Sequence, residues 1–350
     1  MTDSPRVYHL ALRDLHAAAG ARFEVRDGWS MPVDYGDWRA EHAAIREGAA
    51  MADRSQRSRF MLSGTDALDV LQVVFAGHLH DLEEGRAMRT VALDEAGNIR
   101  DLALIARTGG IAYLVSGEPG QRFETLARLN RAVRDGFDVR IDDRTESTCL
   151  LGLAGPAAQA KATEHLSEGL PARLQTLHCV TFEFHGFRAL AIRTSDLGED
   201  GFEFMLAPAV AQHIIETLQA AGVPLVGSMA QETARVEACV PAFAPDLDPG
   251  LSPAEADLDV LLGIEGGREG RMLAALVLEG EGVPGVGARV ENALGAVGEV
   301  RSCVRSPSLD ATIALAVLDQ GDAVPGAALM VGGQRANVAR KPLYRRRTAT

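Results

Sequence analysis

The stretch RAMRTVALDEAGNIRDLALIAR, residues 86–107, decides how the fold is read. It alternates, turns at the Asp94-to-Gly97 cluster and returns, which is the pattern of a β-hairpin. On the returning strand Asp101 shares a face with Ile99, Ala103 and Ile105, while Arg100, Leu102 and Leu104 point the other way. An unpaired carboxylate on a buried face is strongly disfavoured, so Asp101 needs a cation, a hydrogen-bond donor or a raised pKa. The plainer alternative is a salt bridge, or an edge strand facing water.

The neighbouring segments repeat this mixture of hairpins and helices. Upstream, DWRAEHAAIREGAA and GTDALDVLQVVFAG carry apolar residues at helical spacing, with Thr65 as a candidate N-cap of the second. Downstream, IAYLVSG reads as a strand and QRFETLARLNRAVR as a helix with Phe123, Leu126, Leu129 and Val133 on one side. TCLLGLAGPAAQAKATEHL predicts a strand, a break at Gly155-Pro156 and a helix. VTFEFHGFRALAIRT gives two strands around His185-Gly186, GFEFMLAP another, and PAVAQHIIETLQAAG a helix closed by Gly222. Hairpins among helices argue for α+β units rather than a doubly wound parallel sheet. Near residue 245 the chain turns rich in Pro, Asp and Gly, and from Met272 onward short strands and Gly turns predict an all-β terminal domain. The expected division is 1–260, a linker over 261–271, and a terminal β domain over 272–347.

The chain has 350 residues, 47% hydrophobic and 24% charged, enough for two or three compact units. A net charge of -13 disfavours non-specific attraction to nucleic acid or anionic lipid. The four cysteines are scattered and form no CxxC pair, which suggests neither zinc nor a disulfide framework. With no signal-like start and no long apolar run, the expectation is a cytoplasmic protein without membrane contact.

Short motifs add little. GEGVPG at 280–285 matches GxGxxG, but it carries a proline and leads into a β segment, so it is a false match. His78 and His80 have no third ligand in view, and metal is set aside. RTSDLGEDGFEFML, residues 193–206, is more informative: its Gly198 and Gly201 turn is expected to bring Asp196, Glu199, Asp200 and Glu203 together. A carboxylate there can accept two parallel N–H bonds, the edge that an amino-pyrimidinone ring offers. An acidic surface turn is the plainer alternative.

Taken in order, the chain resembles the glycine-cleavage T-protein (aminomethyltransferase) and folate-binding superfamily, as a divergent member. The matching stretches are GARFEVRDGWSMPVDYG (20–36), EHAAIREGAAMADRS (41–55), GNIRDLALIA (97–106), GLAGPAAQA (152–160), RTSDLGEDGFEFML (193–206), ARVEACVP (234–241), VGEVRSCVRSPSLDATIALAVLD (297–319) and RKPLYR (340–345). The resemblance implies a three-domain ring of the T-protein type with a C-terminal β-barrel-like domain. It implies tetrahydrofolate as cofactor, Asp101 as the catalytic carboxylate of one-carbon transfer, and Glu203 as the anchor of the pterin ring.

Departures from the family pattern fall on the contact positions. A His-Met pair after the DVS-like turn is replaced by Gln56 and Arg57, a tyrosine by Arg89, an asparagine by Ser116, the tyrosine of the TGYTGE turn by Asp196, and the arginine of the GARD motif by Gln231. The acid adjoining the key aspartate is Arg100. Where an iron–sulfur maintenance branch carries a cysteine, Gly267 stands between the matching Gly266 and Gly270. Arg57 and Arg89 are expected to focus positive charge that suits an anionic ligand, the glutamyl tail of folate or a carboxylate substrate. Their plainer alternatives are an ion pair for Arg57 and a solvent-facing Arg89.

The leading expectation is a tetrahydrofolate-dependent one-carbon (aminomethyl or methyl) transferase or demethylase that takes folate and a small one-carbon donor. A non-catalytic folate-binding accessory protein, and a fold re-used without folate, are the alternatives.

Overall fold

The computed structural model describes residues 6–166, 170, 174–247, 250–263 and 270–346, so Gly266 and Gly267 lie outside the described residues. The chain forms two compact units, each assembled from several segments. The first holds Met1–Thr90, Ala103–Ser195 and Glu199–Gln231; the second holds Val91–Leu102, Asp196–Gly198 and Glu232–Thr350.

Antiparallel sheets build most of the first unit. One runs Cys179–Phe184, Phe187–Thr194, Gly201–Leu206, Cys149–Ala154, Ala50–Asp53. Its first two strands meet at His185 (φ 49°) and Gly186 (φ 81°), the pair of left-handed residues that a tight hairpin turn requires. Helix Pro208–Ala220 lies on the sheet because Val210, Ala211, Ile214, Ile215 and Leu218 recur on one side of it. That stripe packs with Leu151, Leu153, Phe202 and Phe204 into a single apolar cluster. Burying each of the Val, Leu, Ile and Phe side chains contributes about 1.5–3 kcal/mol.

A second sheet has the order Ala87–Leu93, Ile99–Gly109, Ala112–Gly117, Ser58–Ser63, Arg140–Asp143. Its first two strands are the arms of the hairpin expected at residues 86–107. The hairpin tip, residues 91–102, groups with the second unit. A smaller sheet pairs Tyr8–His9 and Arg22–Arg26 on either side of Trp29–Asp34.

The second unit carries a closed six-stranded barrel: Arg271–Leu278, Ala311–Asp319, Gly295–Ser306, Arg289–Asn292, Ala328–Val331, Gln334–Ala339, and back to the first. Alternate residues such as Ala314, Ala316 and Leu318 fill its interior with Leu276, Val290, Val300 and Val338. Arg235, near the end of helix Ser228–Glu237, ties that helix to the barrel: it donates to buried Asp246 at 2.6 Å and to Ser302 Oγ at 2.7 Å.

Two local expectations need correction. The helix after residue 64 is Ala67–Val74, with Asp66 rather than Thr65 preceding it; Asp66 instead accepts the Asp138 N–H at 2.7 Å. Helix Arg122–Ala132 buries Arg122, Thr125, Leu129 and Ala132, and leaves Phe123 60% exposed. The cause is Arg122, which turns inward to donate to Asp143 at 2.8 Å and to Glu146 at 2.9 Å. Two ion pairs thus override the apolar spacing that favoured Phe123.

Candidate functional site

After strand Ala50–Asp53 the chain turns through Arg54–Arg57 before entering Ser58–Ser63. Main-chain and side-chain bonds fix this turn. The Ser55 N–H donates to Asp53 Oδ1 at 2.9 Å, Ser55 Oγ accepts the Leu150 N–H at 2.9 Å, and the Arg57 N–H closes onto the Arg54 carbonyl at 3.0 Å. Behind it runs a buried chain in which Tyr35 Oη meets His16 Nδ1 at 2.8 Å and His16 Nε2 meets Asp53 Oδ2 at 2.9 Å.

Arg59 is fully buried beneath the turn, where its guanidinium donates to the carbonyls of Ser55 (3.1 Å), Arg57 (2.6 Å), Thr148 (3.0 Å) and Thr145. Burial pulls its pKa down to about 10, which leaves it charged at neutral pH.

Opposite this turn lies Glu203. Strand alternation sends Phe202 and Phe204 into the apolar core, where their rings stack at 5.6 Å, and sends Glu203 to the other face. Its neighbours across the sheet are Gly152 and Ile192. A Cβ on Gly152 would lie 3.0 Å from Arg54 Cδ, so the bare backbone there is the path by which Arg54 reaches across the sheet. Arg54 Nη1 ends 2.8 Å from Glu203 Oε1. The contact is an ion pair rather than an aligned hydrogen bond, and Oε1 accepts no aligned bond among the described residues.

Beside it Arg57 Nη2 stands 3.1 Å from Glu118 Oε1. Arg89 is partly buried; desolvation draws its pKa down to about 10, while Glu203 and Glu118 pull the other way. Burial opposes ionisation of Glu203, yet the fields of Arg54, Arg57, Arg89 and Arg59 outweigh it and hold the carboxyl below its ordinary value. The side chains of Arg54 and Arg57 are each 14% exposed and that of Glu118 18%, so the cluster keeps an opening to solvent.

The structure therefore brings together three of the residues expected from sequence: Glu203, Arg57 and Arg89. Arg57 does pair with an acid, as its plainer alternative had it; Arg89 is not simply solvent-facing. Ser116 is fully buried, opposite Arg59 and Leu104 on the adjoining strands, and its Oγ has no hydrogen-bond partner among the described residues. Gln231 is turned back on its own helix and donates to the Gly227 carbonyl at 3.3 Å.

Asp101 is fully buried on the interior strand Ile99–Gly109, which corrects the alternative of an edge strand facing water. Arg100 points away from it, to Asp94 at 2.7 Å. Asp101 and Asp196 group with the second unit. The acids around Gly198 and Gly201 are met by cations from different parts of the chain. Asp200 pairs with Arg193 at 2.9 Å, Glu199 lies 3.9 Å from Arg46, and Glu203 is held by Arg54. These three acids thus lie by three different cations.

Arg54, Glu118 and Arg59 escaped the sequence reading. The signal for two of them was present in RSQRSR, residues 54–59, where three arginines fall in six positions.

Antiparallel α+β sheets carrying a buried acid ringed by cations, followed by a closed barrel, define the class as that of the T-protein fold. The comparisons agree. Residues 12–265 match the GCVT N-terminal domain and residues 271–345 the glycine cleavage T-protein C-terminal barrel domain. An aminomethyltransferase of Cutibacterium acnes is 31% identical over 96% of this chain and 98% of its own length. One from Thermus thermophilus is 32% identical over 89% and 91%. The crystal structure of glycine cleavage system aminomethyltransferase T from Bartonella henselae superposes with a TM-score of 0.89 at 24% identity, over 97% of this chain and 99% of that one. The chain belongs to the glycine-cleavage T-protein family.

Proposed function

We propose that the chain catalyses tetrahydrofolate-dependent one-carbon transfer, moving an aminomethyl or methyl group from a small donor onto reduced folate. The observation that carries this reading is Glu203: a buried carboxylate kept ionised, with an oxygen that accepts no aligned hydrogen bond among the described residues, in a chain that matches the family along nearly its whole length.

The donor set suits a reduced pterin. Glu203 offers carboxylate lone pairs to a pair of ring N–H groups, and Ser116 Oγ is a buried hydroxyl that lacks a protein partner among the described residues. When bound, reduced folate supplies the nucleophilic nitrogen that takes the one-carbon unit. The protein's own part is to hold the ring through Glu203 and to keep a carboxylate, Asp101, in a dry place where it takes up or gives a proton at its oxygen. Burial strengthens each of these polar contacts relative to water.

Calorimetric titration with anaerobic tetrahydrofolate tests the reading. The intact protein is expected to bind, and Glu203→Gln to lose at least about tenfold in affinity, which corresponds to about 1.4 kcal/mol. Asp101→Asn should keep most of the binding and lose turnover of methylated or aminomethylated donors. An intact protein that does not bind reduced folate at millimolar concentration sinks the proposal.

A further inference from the structure

His185 and His213 meet on the surface of the first unit. Their ring centroids lie 5.0 Å apart, with the planes at 60°. Both residues are exposed, and neither imidazole makes a hydrogen bond or an ion pair among the described residues.

Different elements hold the two rings. His185 opens the two-residue turn between strands Cys179–Phe184 and Phe187–Thr194, and the pairing of Phe184 with Phe187 closes that turn. Its φ of 49° is a conformation that glycine or asparagine takes more readily, so the turn by itself does not call for a histidine. His213 stands on the exposed side of helix Pro208–Ala220, beside buried Ile214 and Ile215. The buried Phe184 ring touches both imidazoles, with its centroid 4.5 Å from that of His185 and 5.4 Å from that of His213. Phe184, Ile214 and Ile215 belong to one apolar cluster, so close packing of the core sets the separation of the pair.

That separation suits a shared ion. A tetrahedral cation held by two imidazole nitrogens at about 2.0–2.1 Å places the ring centroids about 5 Å apart. We propose that His185 and His213 form a two-histidine site for a zinc-like dication, which clamps the hairpin turn to the helix. Such ions take imidazole nitrogen, whereas magnesium takes oxygen ligands. No group of three or more His, Cys, Asp and Glu side chains among the described residues could hold a metal, so water completes the coordination and the ion is exchangeable. A net charge of -13 favours the approach of a dication.

The test is calorimetric titration of the full, untagged chain with zinc chloride after treatment with a chelator, with magnesium chloride as the control. Zinc is expected to bind and magnesium not to bind. His185→Asn, which suits the left-handed turn, and His213→Gln, at an exposed helix position, should each weaken zinc at least about tenfold. Zinc is also expected to slow amide hydrogen exchange across residues 184–187 of the intact protein, a readout that stands should either variant fail to fold.

No zinc binding at millimolar concentration overturns the inference, and so does unchanged affinity in either variant. Magnesium binding as tightly as zinc overturns the choice of an imidazole-preferring ion. Zinc bound without slower exchange at 184–187 overturns the clamp. The site does not depend on the reading of Glu203, and the folate titration neither supports nor removes it.

Discussion

Gly152 shows how much of the site depends on one missing methyl group. Its strand pairs with that of Glu203 on one side and with Ala50–Asp53 on the other, and Arg54 crosses between them over its bare Cα. A valine at this position would occupy the space of the Arg54 stem. We expect Gly152→Val to displace Arg54 and to destabilise the protein by about 2 kcal/mol, through crowding and through a buried Glu203 left without its nearest cation. In an Arg54→Ala background the same change should cost far less, and a double-mutant cycle by urea unfolding measures the difference. Additive effects would mean that the two residues do not interact. At this scale the sequence was half legible. The faces of Asp101 and Glu203 follow from strand alternation, which is local. The reach of Arg54 depends on a glycine on a neighbouring strand far along the chain, and no local pattern carries it.

The hairpin at residues 86–107 was legible as an element because alternation and turn residues are written side by side. Its turn is organised by Asp94, whose carboxylate accepts the N–H groups of Asn98 at 2.9 Å and Ala96 at 3.0 Å, and the Arg100 Nε at 2.9 Å. The bonds from Asn98 and Arg100 hold its pKa down to about 2, against an ordinary value of 3.8. A depressed carboxylate contributes its stability above the unfolded value, and that contribution is lost as pH falls through the folded one. The turn is therefore expected to loosen between pH 3.8 and about 2, seen as faster hydrogen exchange at the Ala96 and Asn98 amides. In Asp94→Asn this pH step should vanish; its persistence would assign it to another acid. Helix Arg122–Ala132 was less legible. Its length follows from propensity, but its buried face is set by the acids that Arg122 meets, and those lie at the end of strand Arg140–Asp143 and in the turn after it.

At the scale of the whole molecule, the units are interleaved along the chain. The boundaries after Thr90 and Leu102 fall inside strands Ala87–Leu93 and Ile99–Gly109, so each of these strands runs through both units. Because two strands belong in part to each unit, we expect one cooperative unfolding transition. Both tryptophans, Trp29 and Trp38, belong to the first unit, so their fluorescence follows that unit while far-ultraviolet circular dichroism follows both. Coincident urea midpoints from the two signals are expected; separated midpoints would show units that unfold independently. No helix among the described residues is long and apolar enough to cross a membrane. The barrel was foreseen as a β domain from its short strands and Gly turns, but its closure depends on the pairing of Arg271–Leu278 with Gln334–Ala339, which composition does not encode. That closure has a further consequence. A sheet that meets itself has each strand flanked on both sides over part of its length, so the barrel offers a second chain less free edge to add to than an open sheet would.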